Sequence, residues 1–579
     1  MNGAKIVLNS LVDQGVDIIF GYPGGATLPI YDELFKQKKL KHILVRHEQG
    51  AVHAAEGYAR SSGKVGVVCV TSGPGATNCV TGLADAYMDS IPIVCLTGQV
   101  PTKLIGNDAF QEADTTGITR PVTKHNYLVK NVKDLEKIMQ EAFYVAKSGR
   151  PGPVLIDLPK DILNEIYIYK GKKLITTKIN KPILNKSLIK KVVSLIIKAK
   201  KPIFYCGGGV INSGPKASNI LTKLIRKTKF PCTNTLMGLG CFPAIDKQFV
   251  GMLGMHGTYE ANLAMHDSDL IIAVGSRFDD RVTGNLSKFS PYAKKVHIDV
   301  DPSSINKNVK VDVALIGDVS EIINLIYLEL NKNKNLLKFN NVTKWWAQIN
   351  DWKKKNCLGY KKNNYPIKPQ YAIERLYELT KTKDCFVTTG VGQHQMWAAQ
   401  YYKFNKPNRW MTSGGLGTMG YGLPAAIGAQ IANPGKLVVD IDGEASFLMT
   451  MQEISTICQY KLPVKIFIVN NRWMGMVRQW QELIHGGRYS ESYTESLPDF
   501  VKLAESFGIE GLKAEKSSEV DKVIKEMIEI KKPVLVDMVV DQKENCFPMI
   551  PSGAAHNEIL LGPEDQTDET INEEGMVLV

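Results

Sequence analysis

The chain has 579 residues, 44% hydrophobic and 22% charged, with a formal net charge of +13. That length exceeds what one hydrophobic core organises and predicts three or four domains, while the composition excludes a disordered or collagen-like chain. No apolar run reaches the roughly 18 residues of a membrane span, and the ten cysteines form no C-x-x-C pair, which predicts free thiols in a reducing compartment, with neither a disulfide framework nor a zinc site.

The N-terminus, "MNGAKIVLNSLVDQGVDIIFGYPGG", enters an amphipathic helix and then a strand. It shows neither the apolar core of a signal peptide nor an Arg/Ser-rich transit segment, so the protein is expected to work where it is made and not to be secreted. Alternating strand and helix patterns follow along nearly the whole chain and predict an α/β fold of parallel, doubly wound sheets covered by helices. Two lysine- and asparagine-rich stretches, 170–191 and 352–364, divide it into blocks 1–165, 190–340 and 367–550, with a tail at 551–579. The acidic part of that tail, 563–575, is expected to be mobile. The lysine-rich stretches lack an arginine-rich helix or an aromatic interleave, so they are expected to be solvated linkers, not a nucleic-acid surface.

Blocks one and three carry similar units: "VGVVCVTSGPGATNCVTGLADAYMDSIPIVCLTGQ" at 65–99 and "LVVDIDGEASFLMTMQEISTICQYKLPVKIFIVNN" at 437–471. Each reads as strand, small-residue turn, helix, proline break and strand. Ligands of open parallel sheets bind beyond the carboxyl ends of the strands. Glu444 and Asn471 follow the two strands of the second unit, so both should face one crevice. A helix starting near Ala445–Ser446 would offer free N–H groups to a phosphate. Glu444 and Asn471 would offer hard oxygens to magnesium. For the isolated segment, a capping role for Glu444 and a turn role for the Asn pair are the favoured readings.

Further segments extend the pattern in order: "GYPGGATLPIYD" (21–32), "LVRHEQGAVHAAEGYAR" (44–60), "SGPGATN" (72–78), "LGMHG" (253–257), "GSRFDDRVTG" (275–284), "GVGQHQMWAAQYY" (390–402), "SGGLGTMGYGLPAAIGAQ" (413–430) and "GMVRQWQ" (475–481). Together with the 437–471 unit, which resembles the thiamine-diphosphate fingerprint, they make residues 1 to about 555 similar to the catalytic large subunits of the acetolactate synthase family. The resemblance implies three domains: pyrimidine-binding (1–165), FAD-binding (190–340) and diphosphate- and Mg²⁺-binding (367–550). It implies decarboxylation of pyruvate and transfer of the two-carbon unit to pyruvate or 2-oxobutanoate, giving 2-acetolactate or 2-aceto-2-hydroxybutanoate. This is the first common step of branched-chain amino-acid biosynthesis. A homodimer or homotetramer with active sites at the subunit interface is implied, so Glu48 and Glu444 would meet between subunits, and a separate small regulatory subunit is implied as well. The composition fits a plastid-encoded or a bacterial cytoplasmic protein.

By resemblance, Glu48 would activate the cofactor's pyrimidine ring; a favourable charge at a helix N-terminus is the plainer role for it. Met419 would support the bent cofactor, or be plain core. Gly392, Gln393, His394, Gly443, Ala445, Ser446, Asn471, Gly475 and Met476 would surround the thiamine diphosphate, although His394 also suits a hydrogen-bonded core position. Metal ligands would be Glu444, Asn471 and a backbone oxygen at Trp473. The family pattern places an aspartate where Glu444 stands, and Asp442 falls two residues too early to replace it. Gly25, Phe110, Gln111 and Lys160 would lie near the reacting centre, with Pro101, Met255, Asp280, Arg281 and Trp480 around the access channel. Trp480, in place of a core role, would favour 2-oxobutanoate as acceptor. Arg150, Gly207, Gly208, Gly209, His256, Arg277, Asp299 and Asp318 would hold FAD. Two alternatives share part of this pattern: a pyruvate oxidase-like flavoenzyme and a non-catalytic thiamine-diphosphate-binding regulatory protein.

Overall fold

Near-continuous runs of β-branched and apolar residues, such as "GVVCV" and "VLIDLP", are the signature of strands buried on both faces. In the computed structural model, which describes residues 1–171, 185–332 and 342–565, they build three six-stranded sheets. Every strand pair in them is parallel. The first sheet runs Lys41–Leu44, Ile18–Tyr22, Gly66–Val70, Ile93–Gln99, Val154–Pro159, His125–Leu128. The second runs Val313–Ile316, Lys294–Asp299, Leu270–Val274, Pro202–Cys206, Cys232–Asn234, Phe249–Met252. The third runs Trp410–Met411, Cys385–Thr389, Leu437–Asp442, Lys465–Asn470, Val534–Val539, Glu510–Ala514. Helices cover both faces, as parallel crossovers require.

The first and third domains share a core. Helix Glu48–Ser62 lies against helix Gly422–Ala432, and their small residues let the two backbones touch. A Cβ on Gly57 would stand 2.0 Å from the Ala425 carbonyl oxygen, and one on Gly428 would stand 1.8 Å from that of Ala54. No side chain fits at either position, so the alanine- and glycine-rich sequences of both helices follow from this crossing.

Three local details differ from the sequence reading. The 437–471 unit does not contain one continuous helix: it breaks into Glu444–Leu448, a 3₁₀ turn at Met451–Glu453 and Ile454–Gln459. The break frees Thr450 to donate its hydroxyl to the Gly420 carbonyl at 2.9 Å, and Glu453 to accept the backbone N–H groups of Arg46 and His47. The stretch 352–364 is not wholly linker, because helix Thr343–Lys353 runs into it and Trp352 packs on the middle core. Residues 551–560, counted with the tail, fold back onto the middle domain, where the Ala554 carbonyl accepts the Asn285 N–H at 3.0 Å. The first lysine-rich stretch over 172–184 and the tail from 566 lie outside the described residues. All ten cysteines are free thiols, eight of them buried.

Candidate active site

Four strands of the third domain end around one crevice. Gly392–His394 follow Cys385–Thr389, Met419 follows Trp410–Met411, Glu444 follows Leu437–Asp442, and Asn471 follows Lys465–Asn470. Glu444 is the first helical residue and Gly443 occupies the cap, so a capping role does not account for its carboxyl. The side chain is 1% exposed and its Oε1 has no hydrogen-bond partner. Burial pushes the carboxyl up to about 8, against the pull of backbone groups that include those of Asn471 and Trp473. A buried anionic oxygen without a partner is costly, and a divalent cation is what this oxygen set lacks. The Asn471 side-chain oxygen accepts the Trp473 N–H at 3.1 Å and keeps a second lone pair for such an ion.

The floor of the crevice is tightly fitted. The buried His394 Nε2 makes no hydrogen bond, although it stands 3.3 Å from Asp442 Oδ1, so the hydrogen-bonded core position does not account for this nitrogen. The His394 Nδ1 abuts the turn, where a Cβ on Gly443 would come within 2.6 Å. Gln393 accepts the Asn471 Nδ2–H at 3.1 Å, and a Cβ on Gly475 would stand 2.1 Å from the same oxygen. Ser446 Oγ accepts the Gly420 N–H at 2.9 Å, and Ala445 is half-buried beside it. Met476 packs on the domain core. Met419 is half-buried between Gly417 and Gly420, whose φ angles of +76° and +83° favour glycine. Turn amides, a helix start and neutral donors around a closed floor fit a diphosphate.

The residues named from the first domain also follow carboxyl ends of its strands: Gly25 after Ile18–Tyr22, Glu48 after Lys41–Leu44, Pro101 after Ile93–Gln99 and Lys160 after Val154–Pro159. Glu48 opens helix Glu48–Ser62 and its Oε2 accepts Asn78 Nδ2–H at 2.9 Å. The Gln111 backbone at φ +60° presses on Gly73, where a Cβ would meet the Gln111 carbonyl oxygen at 2.8 Å. Phe110 is 89% exposed, and a Cβ on Gly25 would touch nothing within 4 Å. Among the described residues, no hydrogen bond, ion pair or ring contact joins Glu48, Gly25, Phe110, Gln111 or Lys160 to the crevice of the same chain.

The channel residues form a third group. Met255, Asp280 and Arg281 line one pocket with Pro551, Gly553 and His556. The Arg281 guanidinium lies over the Trp480 ring at 5.7 Å, and the buried Trp480 Nε1 has no acceptor. Pro101 stands apart from them, beside Thr102, whose N–H is bound by Asp161 at 3.0 Å.

In the middle domain Gly207–Gly209, His256, Arg277, Asp299 and Asp318 cluster at the carboxyl ends of adjacent strands. Turn packing alone requires two of the glycines: a Cβ on Gly207 would meet the Gly275 carbonyl oxygen at 2.3 Å, and one on Gly209 the Gly275 Cα at 2.7 Å. A Cβ on Gly208 would only touch Met237, at 3.4 Å. His256 Nε2 is buried and unpartnered, and burial lowers this imidazole to about 4, which keeps it neutral. Arg150 comes from the first domain, just before strand Val154–Pro159, and reaches Asp301 Oδ2 at 3.9 Å. Two arginines, a neutral imidazole and two acids are a donor set that suits a dinucleotide's diphosphate and sugars.

Asp442, set aside in the sequence as a metal ligand, and Asn78, not singled out there, both stand beside site residues. The signal for Asp442 was present in "VVDID": Asp440 and Asp442 are two apart in a strand and both are 0% exposed, so both project from one buried face. Asn78 has no comparable mark.

Three family profiles match the chain: "Thiamine pyrophosphate enzyme, N-terminal TPP binding domain" over residues 1–118, the central domain over 189–326 and the C-terminal TPP binding domain over 390–538. The acetolactate synthase large subunit of Haemophilus influenzae is 48% identical over 98% of this chain and 100% of its own length. The isozyme 3 large subunit of Escherichia coli is 49% identical with the same coverage. The chain belongs to the acetolactate synthase large-subunit family of thiamine pyrophosphate enzymes. The Porphyra purpurea large subunit, 48% identical over 96% of this chain and 95% of its own length, is a further relative. The third-domain crevice lies within the part of the chain that matches the C-terminal TPP binding domain. No helix among the described residues is long and apolar enough to cross a membrane.

Proposed function

We propose that this chain is a catalytic subunit that decarboxylates pyruvate and joins the two-carbon unit to a second 2-oxoacid, pyruvate or 2-oxobutanoate. The observation that carries the proposal is Glu444: a fully buried carboxyl with a free oxygen, set beside Asn471 and Trp473 in the crevice of a thiamine pyrophosphate enzyme. When bound, thiamine diphosphate supplies the carbon nucleophile and the electron sink. The residues supply the rest. Glu444, Asn471 and the Trp473 backbone would hold Mg²⁺, and Gly392–His394 with Gly443–Ser446 would hold the diphosphate. Glu48, held by Asn78, would place a proton on a pyrimidine ring nitrogen and accept the hydrogen bond of the resulting N–H. Met419 would keep the cofactor's two rings together, which is proximity catalysis within one ligand.

Oligomeric thiamine pyrophosphate enzymes bring two chains to one site, and the exposure of Phe110 together with the open space at Gly25 supports that assembly for this chain. We assign Gly25, Phe110, Gln111 and Lys160 of one subunit to the crevice of its neighbour, in a dimer or tetramer to which a small regulatory subunit binds. Trp480 with Arg281 would form the acceptor pocket. FAD would occupy the site of Arg150, Gly207–Gly209, His256, Arg277, Asp299 and Asp318. The domain limits 1–165, 190–340 and 367–550 are part of the same proposal, as is a plastid or bacterial source, which relatives from Porphyra and Escherichia coli support equally.

The test is the product. Purified protein supplied with pyruvate, thiamine diphosphate, Mg²⁺ and FAD is expected to form acetolactate, and Glu48→Gln is expected to lose that activity while still binding the cofactor. Acetate with peroxide would point instead to the pyruvate oxidase-like reading. Cofactor binding without turnover would point to a regulatory protein.

A further inference from the structure

Met419 sits in a loop that has little reason to hold one shape. Residues 413–420 read "SGGLGTMG", half of them glycine, and Leu416 is 45% exposed at the tip. Glycine loses more conformational freedom on ordering than any other residue, so holding this segment in one shape is costly. Its C-terminal limb is fixed within its own domain, through Gly420 to Ser446 and Thr450. Its N-terminal limb is fixed from the first domain, by helix Val80–Asp89.

We propose that Asp85 and Asp89 are positioning residues that set the 413–420 loop, and Met419 with it, before any cofactor arrives. The proposal rests on the reading of Met419 as the cofactor's support. Asp89 places one carboxylate oxygen on the Gly414 N–H at 2.9 Å and the other on the Gly415 N–H at 2.7 Å. Asp85 Oδ1 accepts the Ser413 hydroxyl and, at 3.4 Å, that of Thr418. Ser413 Oγ in turn accepts the Thr418 N–H at 2.8 Å, which ties the two limbs together. The two acids are four residues apart and so share one helix face. Gly415 is needed for this contact, since a Cβ there would stand 2.8 Å from Asp89 Oδ1.

The helix end that carries the clamp is itself held. Arg150 Nη2 and Arg277 Nη1 donate to the Met88 carbonyl at 3.0 and 3.2 Å. Behind Asp85 lie His53 and Glu56, all three fully buried. His53 Nδ1 is 2.9 Å from Glu56 Oε1 and 4.0 Å from Asp85 Oδ2, and Glu56 Oε2 and Asp85 Oδ2 have no other partner. Burial raises both carboxyls well above their ordinary range.

Simple interdomain adhesion would use the same contacts, so the test must separate a local effect from a global one. Amide hydrogen exchange is measured on the full chain freed of cofactor, comparing the parent with Asp85→Asn and Asp89→Asn. Exchange across 413–420 is expected to rise about tenfold or more, while the strands of the third sheet keep parental protection. The dissociation constant for thiamine diphosphate with Mg²⁺, read by tryptophan fluorescence, is expected to rise by a similar factor, with the pyruvate KM unchanged. Ser413→Ala approaches the clamp from the loop side and is expected to free the Thr418 amide even if the Asn variants accumulate poorly. Unchanged exchange at 413–420, or a rise spread evenly over the third domain, overturns the clamp. If the loop is freed while Met419→Ala binds thiamine diphosphate like the parent, the clamp stands and the Met419 reading falls.

Discussion

Replacing Glu444 by glutamine should stabilise the unloaded protein and weaken its response to metal. Burial holds the Glu444 carboxyl at about 8 against an ordinary 4.5. Each pH unit of that gap corresponds to about 1.4 kcal/mol. The sign follows from linkage. Below pH 4.5 both folded and unfolded chains are protonated and nothing is lost. Above it the unfolded chain ionises first, so folding stability falls until the folded group ionises too. The cost at pH 7 is about 3 kcal/mol and approaches about 5 kcal/mol above pH 8, as order-of-magnitude values. Glutamine keeps the shape and removes the titration, so Glu444→Gln should unfold later than the parent between pH 7 and 8 without ligands. With Mg²⁺ and thiamine diphosphate the order should reverse, because a bound cation offsets the carboxylate's burial in the parent alone. Thermal unfolding of both proteins, with and without the two ligands, measures each half. Equal ligand-induced shifts in the two proteins would refute Glu444 as a metal ligand. Glu444→Asp should keep the metal response, and Glu444→Ala should lose it.

Three further outcomes are expected. Trp480→Leu should reduce preference for 2-oxobutanoate more than total turnover, since it removes the ring under Arg281; equal losses with both acceptors in a competition assay would count against that role. Gly57→Ala should lower thermal stability by about 1–3 kcal/mol or more through overpacking, because its Cβ would stand 2.0 Å from the Ala425 carbonyl oxygen; an unchanged melting temperature would argue against the interdomain helix contact. Asp157 is raised by burial to about 7, against hydrogen bonds from Thr97 and Gln99. Folding stability should therefore fall as pH rises from about 4 to 7, by at most about 4 kcal/mol, and denaturant titrations of Asp157→Asn should show a flatter profile over that window.

The parallel sheets were legible because their strands are short apolar runs bounded by small-residue turns, and the crevice because ligands sit at strand ends. Glu444, Asn471 and Gly443 could be placed from a single unit of sequence. What escaped was everything set by distant contacts. The helix after Glu444 breaks because Thr450 and Glu453 have partners at Gly420 and Arg46, which no local pattern displays. Asp85 and Asp89 lie in a helix that reads as an ordinary amphipathic one, and their partners are more than 320 residues away. Gly57 and Gly428 look like weak helix positions until the opposing backbone is seen. Local periodicity reports elements, whereas the residues that position a loop or join two domains are defined by what they face.

The central claim is a magnesium- and thiamine-diphosphate-dependent condensation of pyruvate. The most direct measurement is acetolactate formation from pyruvate by the purified protein, with thiamine diphosphate and Mg²⁺ removed in turn and restored. Activity is expected to vanish without either one and to return on adding it back. Acetolactate formation that is unaffected by removing both would contradict it.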